Sequence, residues 1–278
     1  VCKEARQSGL TVALTGDGAD ELFGGYIRYT YGPDIWNKIS FLPIHLRHVL
    51  SYLIKIIPPN KWDLIGFLLP INQFGQKLHK LALRLSSVNS VDELYFSLIN
   101  EWEESVNALT NIKLDPPLQY SSENILRRID LPKDTVASER MMIWDSINYL
   151  PNDILTKVDR AAMSVGLETR APYLNHNVFQ IAARLPTDLK ITTKHNINNA
   201  KWALRHVLYK YVPKNLVDRP KSGFGIPITD WLRGPLKPWA EDLLNIRKIK
   251  NQGFLNHNIV SRLWNEHLSR KYNHTPKI

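Results

Sequence analysis

The chain of 278 residues carries 36 Lys and Arg against 26 Asp and Glu, a formal net charge of +10, with 44% apolar and 22% charged residues. Length and composition are those of a soluble globular protein with a substantial core, built as one large domain or two small ones. The Lys and Arg are scattered, without a basic tail, zinc-finger spacing or RNP-type motif, which argues against nucleic acid and for anionic small substrates or plain solubility. The single cysteine, Cys2, excludes an internal disulfide framework and fits a reducing compartment. Apolar runs such as Leu64–Ile71 are interrupted by Gly66 and Pro70 and are too short to span a bilayer, and VCKEARQSG has no signal-peptide apolar region. The expectation is a cytoplasmic protein with no membrane partner.

In chain order, residues 1–9 read as the last two turns of a helix ended by Gly9, feeding a strand at Thr11 to Leu14. A chain that opens in mid-helix points to a preceding segment. The strand enters the turn Thr15-Gly16-Asp17-Gly18, and a helix follows from Ala19. That order puts polar groups at the carboxyl end of a buried strand, where open α/β sheets bind ligands. Asp17, Asp20 and Glu21 crowd carboxylates into this turn, and two readings stand side by side. Asp17 or Asp20 caps the helix and the others favour its positive end, at about 0.3–2 kcal/mol each. Alternatively, hard oxygen ligands on a glycine turn hold Mg²⁺ with help from a substrate phosphate. Neither the Rossmann spacing nor a P-loop is present.

After Tyr31-Gly32-Pro33 comes a mostly helical region reaching to about Pro132, broken at Pro43, Pro58-Pro59, Pro70 and Pro116-Pro117. Phe74 to Ser86 and Val91 to Asn100 repeat apolar residues at helical spacing and read as packing core; Trp102, Glu103 and Glu104 read as a solvated helix face. A helix from Ser138 carries Met141, Met142, Trp144 and Leu150, and Pro151-Asn152-Asp153 is expected to break it and cap the next, Ile154 to Ser164. Lys157, Asp159 and Arg160 on that next helix form either a polar site or an exposed ion-pair stripe. Gly166 to Tyr173 is a turn into a helix from Asn175 to Leu185, with Glu168 and Arg170 pairing across the turn. On a helix from Ile197 to Tyr211, Lys201 and Arg205 lie one turn apart and repel unless an anion or carboxylate separates them. Arg219 to Pro227 is a basic glycine loop braced by two prolines. Its Lys221 is either an ordinary surface lysine or the group that stabilises a phosphate or developing negative charge. From Ile228 two amphipathic helices follow, then a tail from His274. Neither the histidines nor Cys2 shows metal-ligand spacing.

Three separated segments, TGDGADELFGGY at Thr15 to Tyr26, LPNDILTKVDRAAMSVGLETRAPYLN at Leu150 to Asn175, and KWALR with RPKSGFGIPITDWL at Lys201 to Leu232, resemble the synthetase domain of glutamine-dependent asparagine synthetases. The resemblance implies an α/β fold with a large helical part: a remnant of an adenine-nucleotide alpha-hydrolase-like (HUP-type) parallel sheet, then a mostly α-helical C-terminal region. It divides the chain into the end of a nucleotide-binding core (1–30), a helical insertion (31–135) and a helical C-terminal part with substrate-site loops (136–278). It implies ATP and Mg²⁺ as cofactors, and aspartate and glutamine-derived ammonia as substrates. The carboxylate is activated as β-aspartyl-AMP with release of pyrophosphate, and ammonia then displaces AMP to give asparagine.

By the same resemblance Asp20 takes the metal and pyrophosphate side, within a nucleotide-binding turn that includes Gly16 and Gly18. Asp17 stands where the family carries an acidic residue, often glutamate, that takes a proton from the ammonia adduct; aspartate shortens the reach by one methylene. Lys221 matches the lysine that contacts adenylate and pyrophosphate, and Asp159 a partner acid of the turn residue. Glu168, Arg170, Lys201 and Arg205 are assigned to structural ion pairing. The family's SGG-type ATP-pyrophosphate loop is absent from the 278 residues, as is the glutaminase domain, and the context of Cys2 is not that of the glutaminase nucleophile. The resemblance therefore implies an N-terminally truncated synthetase, inactive alone, whose partner is a glutaminase domain in the same chain and whose candidate assembly is a homodimer. The competing readings are amidation of another carboxylate (a peptide, sugar or antibiotic precursor) on the same fold, and a non-catalytic scaffold.

Overall fold

The computed structural model describes residues 1–66, 74–99, 131–132, 134–192, 200–218, 226–270 and 272–278. In chain order, α1 (Cys2–Gln7) leads into β1 (Val12–Leu14), α2 (Ala19–Phe23), α3 (Arg28–Ser40), α4 (Ile44–Ile56), α5 (Pro59–Gly66), α6 (Phe74–Ser87) and α7 (Val91–Ile99). Then come α8 (Ala137–Trp144), a π-helical stretch (Asp145–Leu155), α9 (Thr156–Met163), β2 (Glu168–Arg170), a 3₁₀ turn (Pro172–Leu174), α10 (His176–Arg184), α11 (Thr187–Lys190), α12 (Trp202–Leu208) and α13 (Lys214–Val217). The chain ends with α14 (Ile228–Arg233), α15 (Lys237–Leu243), α16 (Ile246–Gln252) and α17 (His257–Leu268). The described residues are thus mostly helical with one small parallel sheet, and none of their helices is long and apolar enough to cross a membrane.

Two compact units form, one from Val1–Trp36 with Leu126–Lys221, the other from Asn37–Ile125 with Ser222–Ile278. In the first, β1 and β2 pair in parallel, Val12 opposite Glu168 and Leu14 opposite Arg170. The stretch read as a mere turn therefore holds a strand, too short at three residues to show an alternating pattern. Leu22, Phe23 and Ala182 bury against Tyr173, Val178, Leu185, Ala203 and Leu204, so α2, α10 and α12 share one core.

Two prolines sit inside helices here. Pro33 lies within α3, where it has no N–H for the carbonyl of Tyr29 four residues back; the Ser138 hydroxyl donates to that carbonyl at 2.6 Å. Pro151 does not break its helix as expected. It lies inside the π-helical stretch, whose wider turn relieves the clash between the proline ring and the preceding turn, and α8 runs on without interruption into α9.

In the second unit α4 and α5 pack on α6. Arg47 donates to the Val88 carbonyl at 2.7 Å and Ser51 to that of Ala82 at 2.6 Å, tying α4 to α6 and its C-terminal end through buried polar groups. Leu232, Ala240 and Trp264 form a further cluster with Leu244 and Leu268. Of the two amphipathic helices expected from Ile228, the first is divided into α14 and α15 because Gly234 ends α14, and a further helix, α16, capped by the Asn245 side chain, precedes α17. The tail expected from His274 is docked: His274 donates from Nε2 to Glu266 at 2.6 Å, and Thr275 bonds Thr229 at 2.8 Å.

Candidate functional site

Both strands end at the same edge. Thr15 N–H donates to the Arg170 carbonyl at 2.8 Å, which fixes the start of the Thr15–Gly18 turn beside Ala171 and the 3₁₀ turn after β2. Gly18 turns the chain at φ 88°, in the left-handed region, and a β-carbon there would lie 2.5 Å from Leu174 Cδ2. Phe23 then meets Tyr173 edge-on at 6.1 Å, so the segments after the two strands hold each other.

Of the two readings of the carboxylates, capping is not what forms. Gly18 is the N-cap of α2, and no side chain bonds the helix's leading N–H groups. Instead Asp17 carries a buried oxygen, Oδ2, with no hydrogen-bond partner. An unsatisfied buried acceptor costs roughly 1–3 kcal/mol, more when charged, which makes Asp17 a candidate ligand-contacting position. Asp20, with a side chain 33% exposed, pairs through Oδ2 with Lys201 Nζ at 2.9 Å.

The two cations of α12 are thereby separated. Lys201 takes Asp20, and Arg205 takes Asp218 at 2.7 Å, where Tyr209 also donates at 2.7 Å. The expected repulsion is answered by two carboxylates, and Glu168 and Arg170 pair as expected at 2.8 Å on the surface. Between the turn and α12 opens a groove of about 430 Å³, polar at Gly16, Lys201 and Arg205 and apolar along Leu204, Val207 and Leu208.

Behind α2 lies a polar network that the sequence reading missed. Glu21, 2% exposed, accepts from the Tyr26 hydroxyl at 2.7 Å. Burial pushes the Glu21 carboxyl above its usual range, against the Tyr26 hydrogen bond, and burial likewise raises the Tyr26 phenol. The Arg28 guanidinium lies 4.0 Å over the Tyr26 ring and 5.3 Å from that of Tyr149, and it binds the fully buried Asp145 at 2.7 Å. Tyr29 also donates to Asp145. Asp145 and Arg28 are distant in sequence and sit among apolar neighbours, so only a charge within an apolar helix face could have signalled them.

The structure brings Gly16, Asp17, Gly18 and Asp20 together. Asp159 is exposed on α9, with no hydrogen bond or ion pair to the turn among the described residues. Lys221 lies outside the described residues, as do most of its loop and Trp102, Glu103 and Glu104. No group of three His, Cys, Asp or Glu side chains gathers to hold a metal among the described residues. The turn still fits Mg²⁺ of the kind held by one or two carboxylates and substrate phosphates, because Asp17 has an unpartnered oxygen and Asp20 a half-exposed one.

An acidic glycine turn at the carboxyl end of a parallel strand, opening on a groove with two cations, stands where open α/β sheets commonly bind ligands. The family model for asparagine synthase matches residues 1–278, and the chain belongs to that family. It is 28% identical over 279 residues to asparagine synthetase [glutamine-hydrolyzing] 1 of Bacillus subtilis, covering all of this chain and 40% of that protein. It is 34% identical over 245 residues to a putative asparagine synthetase [glutamine-hydrolyzing] of Mycobacterium tuberculosis, covering 86% of this chain and 33% of that one. A putative asparagine synthetase [glutamine-hydrolyzing] 2 of Methanocaldococcus jannaschii is 36% identical over 156 residues, 55% of this chain and 26% of its own. The chain thus spans well under half the length of these relatives. No solved structure matches.

Proposed function

We propose that this chain forms part of an ATP-dependent ligase that adenylates aspartate and transfers glutamine-derived ammonia to give asparagine, AMP and pyrophosphate. The observation that carries the reading is the unpartnered buried oxygen of Asp17, in a turn that also presents Asp20 and opens on the groove of Lys201 and Arg205. In the first step an aspartate side-chain oxygen attacks the α-phosphorus of ATP and the bond to pyrophosphate breaks. Asp20 stands on the metal and pyrophosphate side, and Lys221 steadies adenylate and pyrophosphate. Mg²⁺, when bound, neutralises phosphate charge. In the second step ammonia attacks the acyl carbon, the bond to AMP breaks, and Asp17 takes the proton that nitrogen gives up. Asp159, exposed on α9, is a partner acid at one remove.

The same reading makes β1 and β2 part of a HUP-type sheet. Parallel strands are normally covered on both faces, whereas Val12 and Leu14 are 45% and 76% exposed. Residues 1–30 then end the nucleotide-binding core, 31–135 are a helical insertion, and 136–278 carry the substrate-site loops. The glutaminase domain is the partner in the same chain, and homodimerisation is checked by light scattering. The deciding experiment measures pyrophosphate release by the full-length protein with aspartate against other carboxylates. Release that depends on aspartate is expected; silence with aspartate from a folded, ATP-binding protein would overturn the reading.

A further inference from the structure

We propose that Lys201 is the internal counter-ion of Asp20, a positioning residue that holds the carboxylate while no metal is bound and yields it when a divalent cation arrives. The proposal rests on the reading of Asp20 as the metal residue. Lys201 does not lie in ordinary helical backbone: it is the N-cap of α12 at φ 56°, ψ 38°, a left-handed conformation that few residues with a β-carbon adopt. That conformation accompanies the 2.9 Å approach of its ammonium to Asp20 Oδ2, which ties α12 to α2 beside the groove that Lys201 lines.

Gly25 supplies the second, independent observation. A β-carbon there would lie 1.8 Å from Asp20 Oδ1 and 2.3 Å from Lys201 Cε. Gly25 N–H also donates to the Asp20 carbonyl at 2.7 Å, which fixes that bare stretch of backbone under the pair. The backbone of Gly25 is therefore the floor on which both side chains rest, and any larger residue displaces one of them. This accounts for the second glycine of Gly24-Gly25 by a close approach between side chains and main chain.

The chemistry follows from charge. An ammonium beside a carboxylate opposes a second cation on the same carboxylate, so metal binding at Asp20 competes with Lys201. When the metal wins, the ammonium is released in the groove it shares with Gly16 and Arg205, where a phosphate-bearing substrate would supply its new partner. The pair is a switch of partners that keeps Asp20 oriented in both states.

The test is Mn²⁺ titration of the full-length protein, followed by electron paramagnetic resonance at low salt without nucleotide, with thermal melts as a folding control. Lys201→Met is expected to bind Mn²⁺ about threefold to fivefold more tightly than wild type, the size that loss of a half-exposed ion pair allows. Lys201→Arg is expected to leave it near wild type. With MgATP, Lys201→Met is expected to raise KM for ATP, the opposite sign to its effect on free metal. Unchanged or weaker Mn²⁺ binding by folded Lys201→Met overturns the counter-ion role. Asp20→Asn is expected to lose the site. Wild-type affinity in that variant would instead remove the metal reading of Asp20, and no binding by the wild type would overturn both.

Discussion

Asp145 anchors the network behind the α2 turn, and its removal gives a quantitative test of that arrangement. It is fully buried, accepts two hydrogen bonds from Arg28 at 3.1 and 2.7 Å, and accepts a third from Tyr29. Asp145→Ala takes this buried anion away from the Arg28 guanidinium, which lies against the Tyr26 and Tyr149 rings. Breaking one partner of a buried pair costs roughly 3–5 kcal/mol. Arg28 keeps 21% of its side chain exposed and so recovers part of its hydration, which places the loss near the lower end, about 3 kcal/mol. Asp145→Asn keeps the volume and an acceptor for Tyr29 but loses the charge, and is expected to cost about 1.5–3 kcal/mol, the worth of a charged hydrogen bond. Urea unfolding measures the total. Hydrogen exchange in peptides covering Arg28–Trp36 and Ala137–Met163 assigns it to the first unit. A loss below about 1 kcal/mol for Asp145→Ala would show that water already satisfies the network, and would refute its role as a support.

Ser138→Ala leaves the Tyr29 carbonyl without the hydroxyl that substitutes for the missing Pro33 N–H, and is expected to cost about 1 kcal/mol. Adding Pro33→Ala restores an N–H donor, so urea midpoints of the double variant should recover most of that loss. Burial holds the His267 and His274 imidazoles below the ordinary histidine range, in the case of His274 against the Glu266 hydrogen bond. The unfolded chain then binds more protons than the folded one at mildly acid pH, so their contribution is present above pH 6.5 and is lost as pH falls below it. Melting temperature against pH should drop on the acid side, and His267→Phe should flatten the slope. Asp20→Ala and Lys221→Ala in the full-length protein are each expected to abolish most asparagine formation while leaving glutamine hydrolysis largely intact. Near-normal asparagine production by either variant would remove that residue from the proposed site.

What was legible in the sequence was what depends on local chemistry. Gly9 after a basic turn, the apolar run at Val12–Leu14 and the prolines at Pro43 and Pro59 all mark boundaries where the structure has them, because caps and missing donors act within a few residues. Pro151 was misread because the same rule has a nonlocal exception: a π turn can absorb a proline, and only the neighbouring chain decides whether it does. The strand Glu168–Arg170 was invisible for a related reason, since its pairing partner lies far away at Val12–Leu14.

The candidate site divides along the same line. The carboxylates of Asp17 and Asp20 could be named from their turn, but whether they capped a helix or faced a ligand could not, because that depends on what else approaches them. Lys201 and Arg205 were read as two cations in need of anions, which is a local inference from their spacing on one helix face. The anions proved to be Asp20 and Asp218, one from the first turn of α2, far away in sequence, and one from the residue that ends α13. A requirement for a partner is therefore written in the sequence around a charge, while the identity of the partner is written in the fold. Gly25 shows how closely the two are bound, since a residue with no side chain is what lets a carboxylate and an ammonium from distant segments meet over one peptide.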